Sequence, residues 1–354
     1  MAIKAEVLTS FKTIDEAYID GLLEKEIAAN NKKIVVLDDD PTGVQTVHDI
    51  SVYTNWEKAS IEQGFAEENK LFYILTNSRG FTAAQTEKAH KEIAEVVDQV
   101  AKETGKEYLF ISRSDSTLRG HYPLETTILK DEYEKNTGKK IDGEVLCPFF
   151  KEGGRFTIDD VHYVQYDDTL VPAAETEFAK DKTFGYTVSN LKEYVEEKTQ
   201  GAYKKENVTA ISLEDIRELN YDKIEEQLLA VEDFNKVIVN AIDYVDVKIF
   251  CVALFRAMKK GKNFMFRTAA AIVKVMGGVS DQPLLTREQM VVKETDNGGI
   301  IVVGSHTDKT TRQMEKLREN KDIAFVELNA TLVNDEAAFA EEVERCLALE
   351  EEYI

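Results

Sequence analysis

Residues whose types and spacing could do chemistry concentrate between Ile111 and Glu125, ISRSDSTLRGHYPLE. An apolar run, Tyr108 to Ile111, reads as a buried strand that ends in a polar loop. The loop carries Arg113, Ser114, Asp115, Ser116, Thr117 and Arg119 and closes on Gly120. A loop that only turns the chain needs Gly, Pro, Asn or Asp, not two arginines around an acid and three hydroxyls. Arginine forks suit two-point capture of a carboxylate or phosphate, and short hydroxyl side chains suit the OH groups of a polyol. The composition points to a small, anionic, hydroxylated ligand. A solvated loop with an internal Asp–Arg pair is the plainer alternative.

Other apolar runs end in the same manner. Lys33 to Leu37 runs into Asp38-Asp39-Asp40-Pro41-Thr42-Gly43, and strand carboxyl ends are where open α/β sheets bind ligands. Three consecutive acids repel one another unless a cation, an arginine or ligand hydroxyls sit among them. One Asp could cap a helix and Pro-Thr-Gly could turn the chain, which leaves two acids for chemistry. Leu71 to Leu75 leads into Thr76-Asn77-Ser78-Arg79-Gly80, again placing a cation past a strand end. Gly143 to Cys147 leads into Pro148 to Val164, where Gly153-Gly154 permits close ligand approach just before Arg155. Asp159, Asp160 and His162 are metal ligands by type, but a polar β-hairpin explains them more simply. Phe264 to Thr268 also ends on a cation and a hydroxyl, Arg267 and Thr268.

These runs alternate with helical patterns, the clearest from Thr82 to about Thr104. The fold class expected is α/β, a doubly wound N-terminal domain followed by an incomplete second α/β domain. Residues 1–31 read as a helical N-terminal extension, 32–276 as the ligand domain and 277–298 as a linker. Residues 299–354 then supply strand Gly299 to Val303, a Gly304-Ser305 turn, a helix, strand Asp322 to Leu328 and a last helix. That turn suits an anion, because helix N-terminal amides are unpaired, but GxxxxGK[ST] is absent. Two strands cannot build a sheet covered on both faces, so this second domain reads as cut short.

A net charge of −22 and a pI near 4.8 argue against nucleic-acid and anionic-membrane partners. No run of 18 apolar residues and no secretory pattern is present, so a cytoplasmic protein is expected. Cys147, Cys251 and Cys346 lie far apart without a CxxC, which suggests neither a disulfide framework nor a zinc site. A homodimer is compatible with these features.

In several ordered segments the chain resembles the four-carbon acid sugar kinase family. Asp39-Asp40-Pro41-Thr42-Gly43 is similar to its DDxTG motif, and Thr76 to Arg79 to its arginine-bearing strand end. Ser114 to Gly120 is similar to its DSTLRG loop, Pro148 to Val164 to its GGRxT segment, and Gly304 to Thr311 to its GSxxxxT start. Arg113 stands where many members have lysine, and the family's later GG[DE]T segment has no counterpart. The resemblance implies ATP-dependent phosphorylation of a sugar acid such as threonate, erythronate or 3-oxo-tetronate. Asp39, Asp40, Arg79, Asp115, Ser116 and Arg119 would then hold substrate, and Gly304 and Ser305 would meet ATP. The residue types themselves extend the ligand set to Arg113, Ser114 and Arg155. One of Asp39 and Asp40 would orient the attacking hydroxyl and the other would help place Mg²⁺. Without the GG[DE]T segment, the 354-residue chain is expected to bind sugar acid but to transfer phosphate negligibly. Two alternatives stay open. One is a haloacid-dehalogenase-like phosphatase with Asp38 as nucleophile in Asp38-x-Asp40-x-Thr42. The other is a sugar-acid binder without catalysis.

Overall fold

The computed structural model describes residues 1–291, 293, 298–305 and 307–353. Residues 292 and 294–297 of the expected linker, His306 in the Gly304 to Thr311 segment, and residue 354 lie outside the described residues. The chain divides into two compact units, Met1–Gln282 and Pro283–Ile354.

The first unit contains β1 (Ile3–Lys4), β2 (Lys33–Asp38), β3 (Val52–Tyr53), β4 (Leu71–Leu75), β5 (Tyr108–Arg113) and β6 (Gly143–Cys147). It continues with β7 (Arg155–Ile158), β8 (Val161–Tyr166), β9 (Thr169–Pro172), β10 (Thr209–Ile211), β11 (Asn235–Val239) and β12 (Phe264–Thr268). A parallel sheet runs in the order β10-β11-β6-β12-β5-β2-β4-β3. A small antiparallel sheet runs β1-β9-β8-β7.

The parallel strands are apolar on both faces because helices cover both. Ile34 and Val36 pack with Tyr73, Ile111 and Phe250 on one side of the sheet. Their neighbours Val35 and Leu37 pack with Phe72, Phe110, Ile93 and Val97 on the other. Helix Ala83–Thr104 opens on the Thr82–Gln85 capping box and stops at Gly105, whose φ of 64° few other residues adopt. β2 lies between β4 and β5. The chain leaves β2 toward one side of the sheet and returns on the other, so the loops after β2 and β5 diverge into a crevice.

Several expectations change. Residues 1–31 are built into the first unit: β1 joins the small sheet, and helix Glu16–Ala29 buries Ile19 and Leu23. β3 is a two-residue strand at the sheet edge. Helix Tyr244–Lys259 is apolar nearly all round, because it packs on four other helices. In the second unit, helices Asp308–Leu317 and Glu336–Tyr353 form. Neither Gly299 to Val303 nor Asp322 to Leu328 is a strand among the described residues. Ile300 and Val302 are 77% and 85% exposed. β-Branched residues favour a strand only where neighbours take up its N–H and C=O groups, and none do so here among the described residues. The described part of this unit is therefore helical with extended segments. No helix among the described residues is long and apolar enough to cross a membrane.

Candidate functional site

Register delivers the acids to the arginines. Asp38 at the end of β2 is paired with Arg113 at the end of β5. Arg113 Nε donates to Asp38 Oδ1 at 2.6 Å, and its Nη2 donates to Asp40 Oδ1 at 3.0 Å. Arg79, just past β4, donates through Nε and Nη2 to the two oxygens of Asp39 at 3.2 and 2.6 Å. Its Nη1 reaches Asp40 Oδ2. Two guanidiniums thus hold three consecutive carboxylates together. Gly43 lets the loop after β2 pass over this knot: a Cβ there would lie 2.1 Å from Asp38 Oδ2 and 2.2 Å from Arg113 Nε.

Asp38 is 1% exposed, Asp39 3% and Arg113 5%, whereas Asp40 and Arg79 are partly open. Arg113 and Ser114, expected at the ligand, are instead interior. Arg113 faces the acids, and Ser114 is buried with its N–H on the Thr268 carbonyl at 2.8 Å. Burial pushes Asp38 up to about 7, against the pull of Arg113 and with the push of Asp39 and Asp40. Burial also raises Asp39, against Arg79 and Arg113. For Asp40 burial is outweighed by Arg79, Arg113 and Thr42, which hold it below the ordinary range.

The raised Asp38 has a consequence for stability. A folded-state value near 7 against 3.8 unfolded means that its contribution is fully present below 3.8 and lost as pH rises through 7. The urea midpoint is therefore expected to fall between about pH 4 and 7, and Asp38→Asn should flatten that fall. Identical slopes for the two proteins would contradict the assignment.

On the other flank, Asp115 accepts from Thr117 Oγ1 and from Arg119 Nε, the latter at 2.7 Å. Burial would raise its carboxyl, but Arg79, Arg119 and Thr117 hold it well below the usual range. Ser116 is partly exposed. Arg119, expected to hold substrate, is tied to Asp115, although its side chain stays 26% exposed. The guanidiniums of Arg119 and Arg155 both stand over the Phe178 ring, at 5.1 and 5.5 Å. Arg155, which opens β7, has no carboxylate within ion-pair distance among the described residues, and its Nε is buried without a partner. Arg267 on β12 is also buried without a carboxylate partner, and its Nη2 donates to the Arg119 carbonyl at 2.7 Å. Sequence reasoning did not assign Phe178 or Arg267 to the site. Arg267-Thr268 at an apolar strand end was a visible signal; Phe178, in an irregular segment, left none.

The remaining candidates sort by position. Asp159 and Asp160 form the β7–β8 turn at φ 48° and 65°, as a two-residue hairpin turn requires. His162 is buried between Thr157 Oγ1 and the Ser116 carbonyl, and burial lowers it to about 4, so it braces the loop. Asp38, Asp39 and Asp40 have oxygens within 4.8 Å of one another, as metal ligands would. Every one of those oxygens except Asp38 Oδ2, however, already accepts from Arg79, Arg113 or Thr42. A hard dication needs several free oxygens, so Mg²⁺ does not fit this triad. Asp38, buried and held by Arg113, is also poorly placed as a phosphatase nucleophile. In the second unit, Gly304 and Ser305 are exposed ahead of helix Asp308–Leu317, and Ser305 Oγ accepts from Thr310 Oγ1 at 2.9 Å.

The doubly wound sheet thus gathers arginines and acids at its switch point, the position where such sheets bind ligands. Residues 34–276 match the sugar-binding N-terminal domain family, and the chain belongs to that family. The match contains every candidate from Asp38 to Arg267 and stops before Gly304 and Ser305. Among solved structures, the chain is similar to a domain of unknown function from Bordetella bronchiseptica, described as a domain-swapped dimer with bound citrate. There the TM-score is 0.51 at 17% identity, over 90% of this chain and 71% of that one. It is also similar to a Haemophilus influenzae protein, with a TM-score of 0.48 at 17% identity over 80% of this chain and 65% of that one. A Salmonella typhimurium LT2 protein, provisionally described as a tRNA synthase, gives 0.49 at 15% identity over 70% of this chain. The chain spans 55% of that protein's length. No curated protein matches the chain.

Proposed function

We propose that this chain binds a four-carbon sugar acid at the carboxyl ends of β2, β4 and β5, and that the protein phosphorylates one of its hydroxyls with ATP. The observation that carries the reading is Arg155, a guanidinium with no carboxylate partner among the described residues, which shares the Phe178 ring with Arg119 beside a loop that offers Ser116 and Asp115. A desolvated cation without a counter-ion is costly, and a substrate carboxylate relieves that cost. Membership in a sugar-binding family supports a hydroxylated ligand. Citrate, named for the Bordetella neighbour, has the same mixture of carboxylate and hydroxyl, although that likeness is one of fold.

In this reading Arg119 and Arg155 receive the carboxylate, and Ser116 and Asp115 receive hydroxyls. Asp40, the more open acid, orients the attacking hydroxyl, while Asp39 keeps Arg79 in place. Phosphoryl transfer needs positioning and charge neutralisation more than covalent help, so an acid held below its ordinary range is adequate for orientation. ATP would supply the phosphoryl group, and Mg²⁺ would come with the ATP phosphate oxygens rather than through the aspartate triad. The test is phosphorus NMR of the protein with ATP, Mg²⁺ and threonate or erythronate. A phosphate ester that needs all three supports the transfer step, whereas sugar-acid binding without any ester removes that step and leaves the binding site. Orthophosphate released from sugar phosphates without ATP would favour a phosphatase instead.

A further inference from the structure

Four consecutive carbonyls of the loop after β5 are each held by a side chain from elsewhere in the fold. The Ser116 carbonyl accepts from His162 Nε2 at 2.8 Å, and the Thr117 carbonyl from the Tyr186 hydroxyl at 2.8 Å. The Leu118 carbonyl accepts from the Tyr194 hydroxyl at 2.7 Å, and the Arg119 carbonyl from Arg267 Nη2 at 2.7 Å. All four donors are buried. In a trans peptide the C=O and the following N–H point opposite ways. The N–H groups of Thr117, Leu118, Arg119 and Gly120 are therefore turned away from those four anchors.

Leu118 N–H returns to the Asp115 carbonyl at 3.1 Å. The N–H groups of Thr117, Arg119 and Gly120 have no acceptor among the described residues. Thr117 and Gly120 are buried, and buried backbone N–H groups are nearly always paired. Leu118 and Gly120, at φ 71° and 123°, flank Arg119, and a change of hand along the chain lets successive amides face one concavity. Glycine at 120 also brings the backbone close: a Cβ there would lie 3.3 Å from Asp39 Oδ2 and 3.4 Å from Arg267 Nη2.

We infer that the amides of Thr117, Arg119 and Gly120 form an oxyanion cradle. His162, Tyr186, Tyr194 and Arg267 act as positioning residues that hold it open. Its ligand is a small oxyanion, either the carboxylate of the sugar acid or a phosphoryl group. The inference deepens the sugar-acid reading and rests on it for the choice of carboxylate.

The test is a titration of deuterated, ¹⁵N-labelled protein with threonate and, separately, with inorganic phosphate, followed in parallel by calorimetry. The three amides should shift together and exchange at least tenfold more slowly at saturation. Tyr194→Phe should weaken the binding about tenfold and reduce those shifts, while amides of helix Glu16–Ala29, which packs in a different core cluster, keep their positions. Threonate binding with all three amides responding supports both readings. If threonate binds and the amides stay unmoved, the cradle is overturned while the sugar-acid reading survives. Where threonate fails to bind but phosphate moves the three amides, the cradle stands and the sugar-acid reading falls. Silence with both anions overturns the cradle.

Discussion

Arg113→Met is expected to destabilise the protein by about 3–5 kcal/mol at pH 7, the cost of removing one partner from a buried ion-pair network. Arg113 is 5% exposed and touches Asp38 and Asp40 directly, with Asp39 at 3.9 Å. Without it, Asp38 and Asp39 stay buried with only Arg79 nearby. The loss should shrink toward pH 4, where the carboxyls can take up protons and the missing cation matters less. Urea denaturation at both pH values checks this. A loss below about 1 kcal/mol at pH 7, the range of an ordinary surface change, would mean that Arg113 does not hold the acids together.

Arg155→Met should do the reverse. Arg155 makes no ion pair among the described residues, so removing its charge relieves desolvation without exposing an acid, and stability should stay level or rise slightly. Binding of a four-carbon acid should weaken about ten- to hundredfold, which corresponds to one charged hydrogen bond of about 1.5–3 kcal/mol. Calorimetry and urea denaturation on the same variant separate the two effects. Lost stability with intact affinity would make Arg155 a structural residue and remove it from the site.

The contrast between these two arginines marks how far sequence reasoning reached. β2, β4, β5, β6 and β12 were legible because parallel strands covered on both faces are nearly continuous apolar runs. Helix Ala83–Thr104 was legible from its capping threonine and its periodicity. The site was visible as composition, with arginines and acids collecting where apolar runs end. Which arginine faces ligand and which faces Asp38 was not visible, because that depends on the register between β2 and β5. Phe178, Tyr186 and Tyr194 approach the loop from an irregular stretch and a helix whose patterns say nothing about this contact. The reading of Ile300 to Val303 as a strand failed for the opposite reason: the local preference was present and the neighbouring strands were not.

The central claim is that the crevice holds a hydroxylated acid by its charge and by its hydroxyls. Calorimetric titration of the protein with threonate, erythronate and the uncharged polyol threitol tests it most directly. One equivalent of at least one acid is expected to bind, with threitol weaker by about a hundredfold or more because it cannot engage the arginines. Equal binding of acid and polyol, or no heat from any four-carbon acid at concentrations of about 1 mM, would contradict the account.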